Sequence, residues 1–128
     1  MKYLIVAMLL LLQVMGLGAK PHLTVTPGTI IDLGDFEEKE VQTRTIHIRN
    51  TGDEPLVILK TFTGCPCTKV YYDKDPIEPG DSVEMKVVFD GRDRLPGSVK
   101  KVFRITSNAE NSIVGVMVKG TVVRPFQK

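Results

Sequence analysis

Between His22 and Val123 the chain alternates apolar and polar positions in short runs, and no stretch repeats its apolar residues at helical spacing. Val83, Met85, Val87 and Phe89 share one face of a run whose other face carries Glu84 and Lys86. Phe103 and Ile105 oppose Arg104, and Val114, Val116 and Val118 oppose Met117 and Lys119. Ile46 and Ile48 follow Gln42 and Arg44 on one face, with His47 and Arg49 on the other. A period of two with one apolar face is the pattern of a strand in an antiparallel sheet. Eight strands are predicted, at residues 22–26, 29–33, 41–50, 55–63, 68–72, 82–90, 98–107 and 112–123.

The connections carry turn chemistry. Residues 50–53 read NTGD and tolerate positive φ before Pro55 opens the next run. Pro79-Gly80-Asp81 and Leu95-Pro96-Gly97 each offer a preset φ followed by a glycine free to take φ > 0, and residues 107–111 form a polar hairpin tip. One sheet alone would leave its apolar face in water, so two sheets must close on each other. The prediction is an immunoglobulin-like antiparallel β-sandwich of seven to eight strands. It lacks the pin of antibody domains, because there is no tryptophan and both cysteines are neighbours.

The first residues interrupt this pattern. MKYLIVAMLLLLQVMGLGAK has one cation at Lys2, an apolar run from Tyr3 to Leu12, and small residues at Gly16, Gly18 and Ala19. That is the layout of a secretory signal, and its apolar part is shorter than the roughly 20 residues of a membrane span. We expect a signal peptide over residues 1–19 and a single domain over 20–128, exported to the periplasm or beyond. No membrane insertion is expected once the leader is removed. No cysteine follows the small residues to carry a lipid.

Charge narrows the partners. Of seventeen basic side chains Lys2 leaves with the leader, so sixteen face fifteen acidic ones. A near-neutral surface with mixed signs gives no electrostatic reason for nucleic acid, and the expected partner is a protein. Arg92 and Arg94 flank Asp93 in a predicted solvated turn, and the acids at residues 35–38 and 73–75 are also read as turn residues.

The chemistry is concentrated in residues 63–68, TGCPCT, which hold both cysteines. In an extended segment Cys65 and Cys67 point to the same face with Cα atoms about 6.5–7 Å apart, at the limit for a disulfide. Pro66 fixes its own φ, so a bridge requires a compact turn. Four readings stand: a short structural disulfide, inert buried thiols, a redox or intermolecular linkage, and a metal site. As a metal site, Cys65 and Cys67 suit Cu(I), which accepts few soft ligands. Zinc needs four, and only His22 and His47 are at hand. Met85 and Met117 could join copper, but strand packing explains them as well. An amino-terminal copper(II) clamp at Lys20-Pro21-His22 fails, because Pro21 has no backbone N–H to give up. There is no phosphate loop, HExxH or GxSxG motif, so no catalytic residue is assigned and no cofactor beyond Cu(I) is suggested.

In order, IDLGDFEEKE, IHIRNTGDEPLVI, TGCPCTKV, IEPGDSVEMKVVFD, PGSVKKVFRITSN and VKG resemble the secreted bacterial family known as domain of unknown function 1573, from about Ile30 to Val122. The usual family motif has glycine where Pro66 stands, CGCT against CPCT. The resemblance implies a sandwich akin to major sperm protein and abnormal-spindle modules, which mostly serve in binding or assembly, and it brings no established activity. The expected function is an exported, non-enzymatic module that binds protein or builds the envelope. The alternative is a periplasmic Cu(I)-binding or thiol-redox protein using Cys65 and Cys67.

Overall fold

Alternation becomes eight strands in a computed structural model that describes residues 20–37, 40–92 and 95–124. They are β1 (Leu23–Thr26), β2 (Ile30–Glu37), β3 (Val41–Asn50), β4 (Ile58–Phe62), β5 (Thr68–Tyr72), β6 (Ser82–Asp90), β7 (Gly97–Ser107) and β8 (Ile113–Val123). The expected signal peptide, with Glu38, Asp93 and Arg94, lies outside the described residues. No helix among the described residues is long and apolar enough to cross a membrane.

The strands form two four-stranded sheets, ordered β1-β3-β6-β5 and β2-β8-β7-β4. Within each run the apolar parity faces inward. Ile46, Ile48, Met85, Val87 and Phe89 of the first sheet meet Phe103, Ile105, Val116, Val118 and Val122 of the second, all buried. Phe36 of β2 and Phe89 of β6 lock the layers edge to face, with ring centroids 5.8 Å apart. Truncating Phe89 or Phe103 to alanine is expected to cost about 3–5 kcal/mol, because the rigid surroundings cannot refill such a cavity.

Three local details differ from the sequence expectation. β2 runs on to Glu37 rather than stopping at residue 33, so Asp35 and Glu37 sit in a strand and not a turn. A register shift between Asp32 and Asp35 absorbs the break in alternation there. β2 also pairs parallel with β8, the one parallel pair among otherwise antiparallel ladders. The chain leaves the first sheet after Thr26, crosses at Pro27-Gly28, and continues on the second sheet beside β8. Finally, β4 begins at Ile58, not at Pro55. Pro55 cannot donate to a ladder, and the Val57 N–H is taken by the Asn108 side chain at 2.7 Å.

Asparagines close one end of the sandwich. Asn50, fully buried at the end of β3, donates from Nδ2 to the Glu54 and Ile77 carbonyls at 2.6 and 2.9 Å. Its Oδ1 accepts from the Gly52 and His22 N–H groups at 2.9 and 3.4 Å. Asn108 brackets the 55–57 segment, accepting from Val57 and donating to the Pro55 carbonyl at 3.2 Å. Asn111 does the same for Leu23, accepting from its N–H at 3.0 Å and donating to its carbonyl at 2.8 Å. Each amide replaces the backbone partner that irregular chain lacks. No buried side-chain polar atom among the described residues lacks a partner.

Candidate functional site

The cysteines sit at the opposite end. β4 and β5 are edge strands of different sheets, so residues 63–67 carry the chain across the same side of the sandwich. Gly64 takes φ +65°, a conformation that glycine adopts without penalty. Cys65 to Thr68 then close a tight turn, the Thr68 N–H donating to the Cys65 carbonyl at 3.1 Å. Pro66 fills the second position of that turn, where its fixed φ is an advantage. The turn brings the cysteine Cα atoms to 5.2 Å, and the two sulfurs are joined in a disulfide.

Cys65 and Cys67 are both half-buried, and Cys67 packs against the edge of the core. The Cys67 N–H donates to Cys65 Sγ at 3.3 Å, and Thr68 Oγ1 lies 3.7 Å from Cys67 Sγ. The Cys67 carbonyl accepts from Asp90 at 2.7 Å, tying the loop to the end of β6. The bond spans a sequence separation of two. Closing so small a loop withdraws little freedom from the unfolded chain, about 1.5 kcal/mol on the chain-entropy scale against roughly 4.7 for a 100-residue loop.

Beside the disulfide lies a cleft of about 190 Å³ on the outer face of the first sheet. Val41, Val88 and Tyr71 form its apolar part, Pro66 and Cys67 one wall, and Lys69, Arg92 and Asp90 its charged part. Arg92 grips Asp90 with its side chain, Nη2 donating at 2.6 Å and Nε at 2.9 Å. This hydrogen bonding, reinforced by the Arg92 backbone N–H, holds the Asp90 carboxyl at about 2, and the Lys69 charge adds to it.

The other residues singled out from sequence do not join this site. His22 is at the asparagine end, and His47 pairs across the strand with Glu84, its Nε2 3.8 Å from the carboxylate. Met85 is fully buried in the core, and Met117 lies on the far face of the second sheet. Among the described residues no three His, Cys, Asp or Glu side chains gather as a metal cluster. A soft cation would have Cys65 and Cys67 as its ligands only after the disulfide is reduced.

A second feature escaped sequence reasoning. On the outer face of the second sheet, Val102 pairs with Met117, which in turn pairs with Ile30, giving an apolar row across three strands. Phe62 extends it on β4, where it pairs with Arg104 of β7, and Ile113 extends it on β8, two residues before Gly115. Ile113, Phe62, Ile30 and Val102 are 64%, 61%, 57% and 49% exposed. The neighbouring outward positions hold Lys60, Lys100, Arg104 and Lys119, with Asp32 4.0 Å from Lys119. The available signal was the run VGVMV, apolar at both parities where a half-wet strand would alternate.

The protein family described as "Protein of unknown function (DUF1573)" matches residues 25–122, and the chain belongs to it. A protein of unknown function from Porphyromonas gingivalis W83 has a similar fold, with a TM-score of 0.72 and 23% identity. The match covers 81% of this chain and 48% of that one, so this chain spans about half its length. The ASH/PapD-like domain 7 of human CEP192 superposes with a TM-score of 0.62 at 9% identity, over 83% of this chain and 88% of that domain. The VesB protease of Vibrio cholerae gives a TM-score of 0.60 at 10% identity, over 79% of this chain and 31% of that one. At such identities these likenesses establish the fold. No curated protein sequence matches the chain significantly.

Proposed function

We propose that this member of the family is an exported, non-catalytic module that docks a protein partner on the outer face of its second sheet. One observation carries the reading: the apolar row of Val102, Met117 and Ile30, widened by Phe62 and Ile113, stands outside the core. Packing within the sandwich does not need these side chains, and exposed apolar groups in contiguity mark interaction surfaces. The partner's chemistry follows from the rim. Lys60, Lys100 and Lys119 against Asp32, with Arg104 set between Phe62 and Gly115, call for an apolar contact that also carries carboxylates. The leader-like opening of the sequence and a disulfide between the only cysteines support an oxidising, extracytoplasmic setting. The match to under a third of the VesB chain supports the idea of a sandwich serving as one part of a larger assembly.

The test is Phe62→Asp combined with Val102→Glu. Both side chains point outward, so thermal stability should change little while capture of the partner from envelope extract should fall at least about tenfold. A companion substitution on the other sheet, Thr45→Glu, should leave capture intact. Equal capture by wild-type protein and the double variant would overturn the reading.

A further inference from the structure

The disulfide answers to different chemistry from the docking face, and lies on the other sheet's side of the molecule. Three observations set it apart from a staple. It closes only the shortest of loops, so it adds little to the stability of a core that is complete without it. It is half-exposed, at the wall of a cleft with an apolar part, the Lys69 cation and the Arg92–Asp90 pair. One of its sulfurs already accepts a backbone N–H, as a departing thiolate would require.

We propose that Cys65–Cys67 is a reactive disulfide that oxidises a peptide dithiol seated in the cleft, with Cys67 Sγ as the attacked sulfur. The cleft is lined by Cys67 and not by Cys65, which sets the direction of approach. One peptide thiolate attacks Cys67 Sγ and forms a peptide–Cys67 disulfide. The bond between the two cysteine sulfurs breaks, and its electron pair leaves on Cys65 Sγ. The Cys67 N–H, at 3.3 Å, stabilises that thiolate. The peptide's second thiolate then attacks the peptide sulfur of the mixed disulfide. This closes the peptide's own disulfide and expels Cys67 as a thiolate in the cleft that Lys69 lines, next to the Thr68 hydroxyl. The peptide loses two electrons and the cysteine pair gains them. Two protons pass from the peptide thiols to the cysteine thiolates or to solvent. Val41, Val88 and Tyr71 favour substrates with an apolar residue next to the reacting cysteine.

The experiment mixes oxidised full-length protein with a reduced synthetic peptide carrying two cysteines two residues apart. The reaction is quenched in acid, alkylated and read by intact mass and peptide mapping. The expected result is stoichiometric peptide oxidation, with the transient adduct mapped to Cys67. Lys69→Ala should slow the reaction several-fold at neutral pH, and the loss should shrink in high salt. Cys65→Ser should retain on Cys67 a one-cysteine peptide presented as its thiopyridyl disulfide, with thiopyridone released, and Cys67→Ser should retain at least about tenfold less on Cys65. Because the adduct is also mapped in wild-type protein, the result stands even if a cysteine variant misfolds. A disulfide that persists through hours in excess reduced peptide would overturn the proposal, as would an adduct mapped chiefly to Cys65. Val102→Glu alone, on a strand away from the cysteine loop, should exchange at the wild-type rate, so failure of the docking reading and failure of this one are separable.

Discussion

The two ends of β3 are finished in opposite ways. At Asn50 the chain is secured by one buried amide, bonded on both its donor and its acceptor atoms. Near Val41 the neighbouring loops are held by a short covalent ring and an exposed Asp90–Arg92 pair. The buried neutral hydrogen bonds of Asn50 cannot be screened, titrated or reduced, whereas the disulfide can be reduced and the Asp90–Arg92 pair screened and titrated. The asparagine end is therefore built for permanence, and the cysteine end is where chemistry can act. The family-like motifs divide in the same way: NTGD and the SN tip supply the amides, and TGCPCT supplies the sulfurs.

The sharpest way to break this contrast is Asn50→Ala. The Glu54 and Ile77 carbonyls and the Gly52 and His22 N–H groups lose a common partner, the fully buried Asn50 side chain. A loss of about 3–5 kcal/mol in chemical denaturation is expected. Gly52→Ala attacks the same end by crowding. A Cβ there would meet the Lys20 carbonyl oxygen and the Pro21 carbonyl carbon, the latter at 2.7 Å, so backbone must move. About 2 kcal/mol should be lost in the same assay. Replacing both Cys65 and Cys67 by serine should cost no more than about 1.5 kcal/mol, read as a shift of denaturation midpoint with unchanged slope. If the cysteine pair proved as costly as Asn50, the division between a permanent and a reactive end would be wrong.

Much of this was legible beforehand, for reasons that differ by residue. Inward parity at Met85, Val87, Phe89, Phe103 and Ile105 follows from a period of two, which any half-buried strand must obey. Asn50 shares the parity of Ile46 and Ile48, so its inward position was readable, but not its partners, which lie 2 to 28 residues away. The parallel course of β2 was hidden because alternation marks a buried face and says nothing about a neighbour's direction. At the cysteines, attention to Pro66 missed the residue that does the bending. Gly64 supplies the left-handed conformation two positions earlier, and leaves Pro66 in the turn position it prefers. The docking face was obscured because Val102 and Met117 read singly as ordinary surface residues; only cross-strand register puts them side by side.

The smallest expected effect is also the most selective, because it concerns a single titrating group. Asp90 has its pKa lowered from 3.8 to about 2, chiefly by the Arg92 side-chain hydrogen bond. A carboxylate held below its unfolded value contributes stability that is fully present above pH 3.8 and is lost as pH falls through 2. The pair is exposed, so the contribution is modest and should weaken in high salt. Its location makes it informative. The Asp90 N–H donates to the Cys67 carbonyl, so protonating the Asp90 side chain should loosen the loop that carries the disulfide. Amide exchange, corrected for intrinsic rates, should show Asp90 and Thr68 losing protection between pH 4 and pH 2 before Gly52 does. In Asp90→Asn that difference should vanish, because the carboxylate that Arg92 holds is gone. Equal loss at both ends in the wild-type protein would mean that acid acts on the sandwich as a whole, and that the Asp90–Arg92 pair does not govern the cysteine loop.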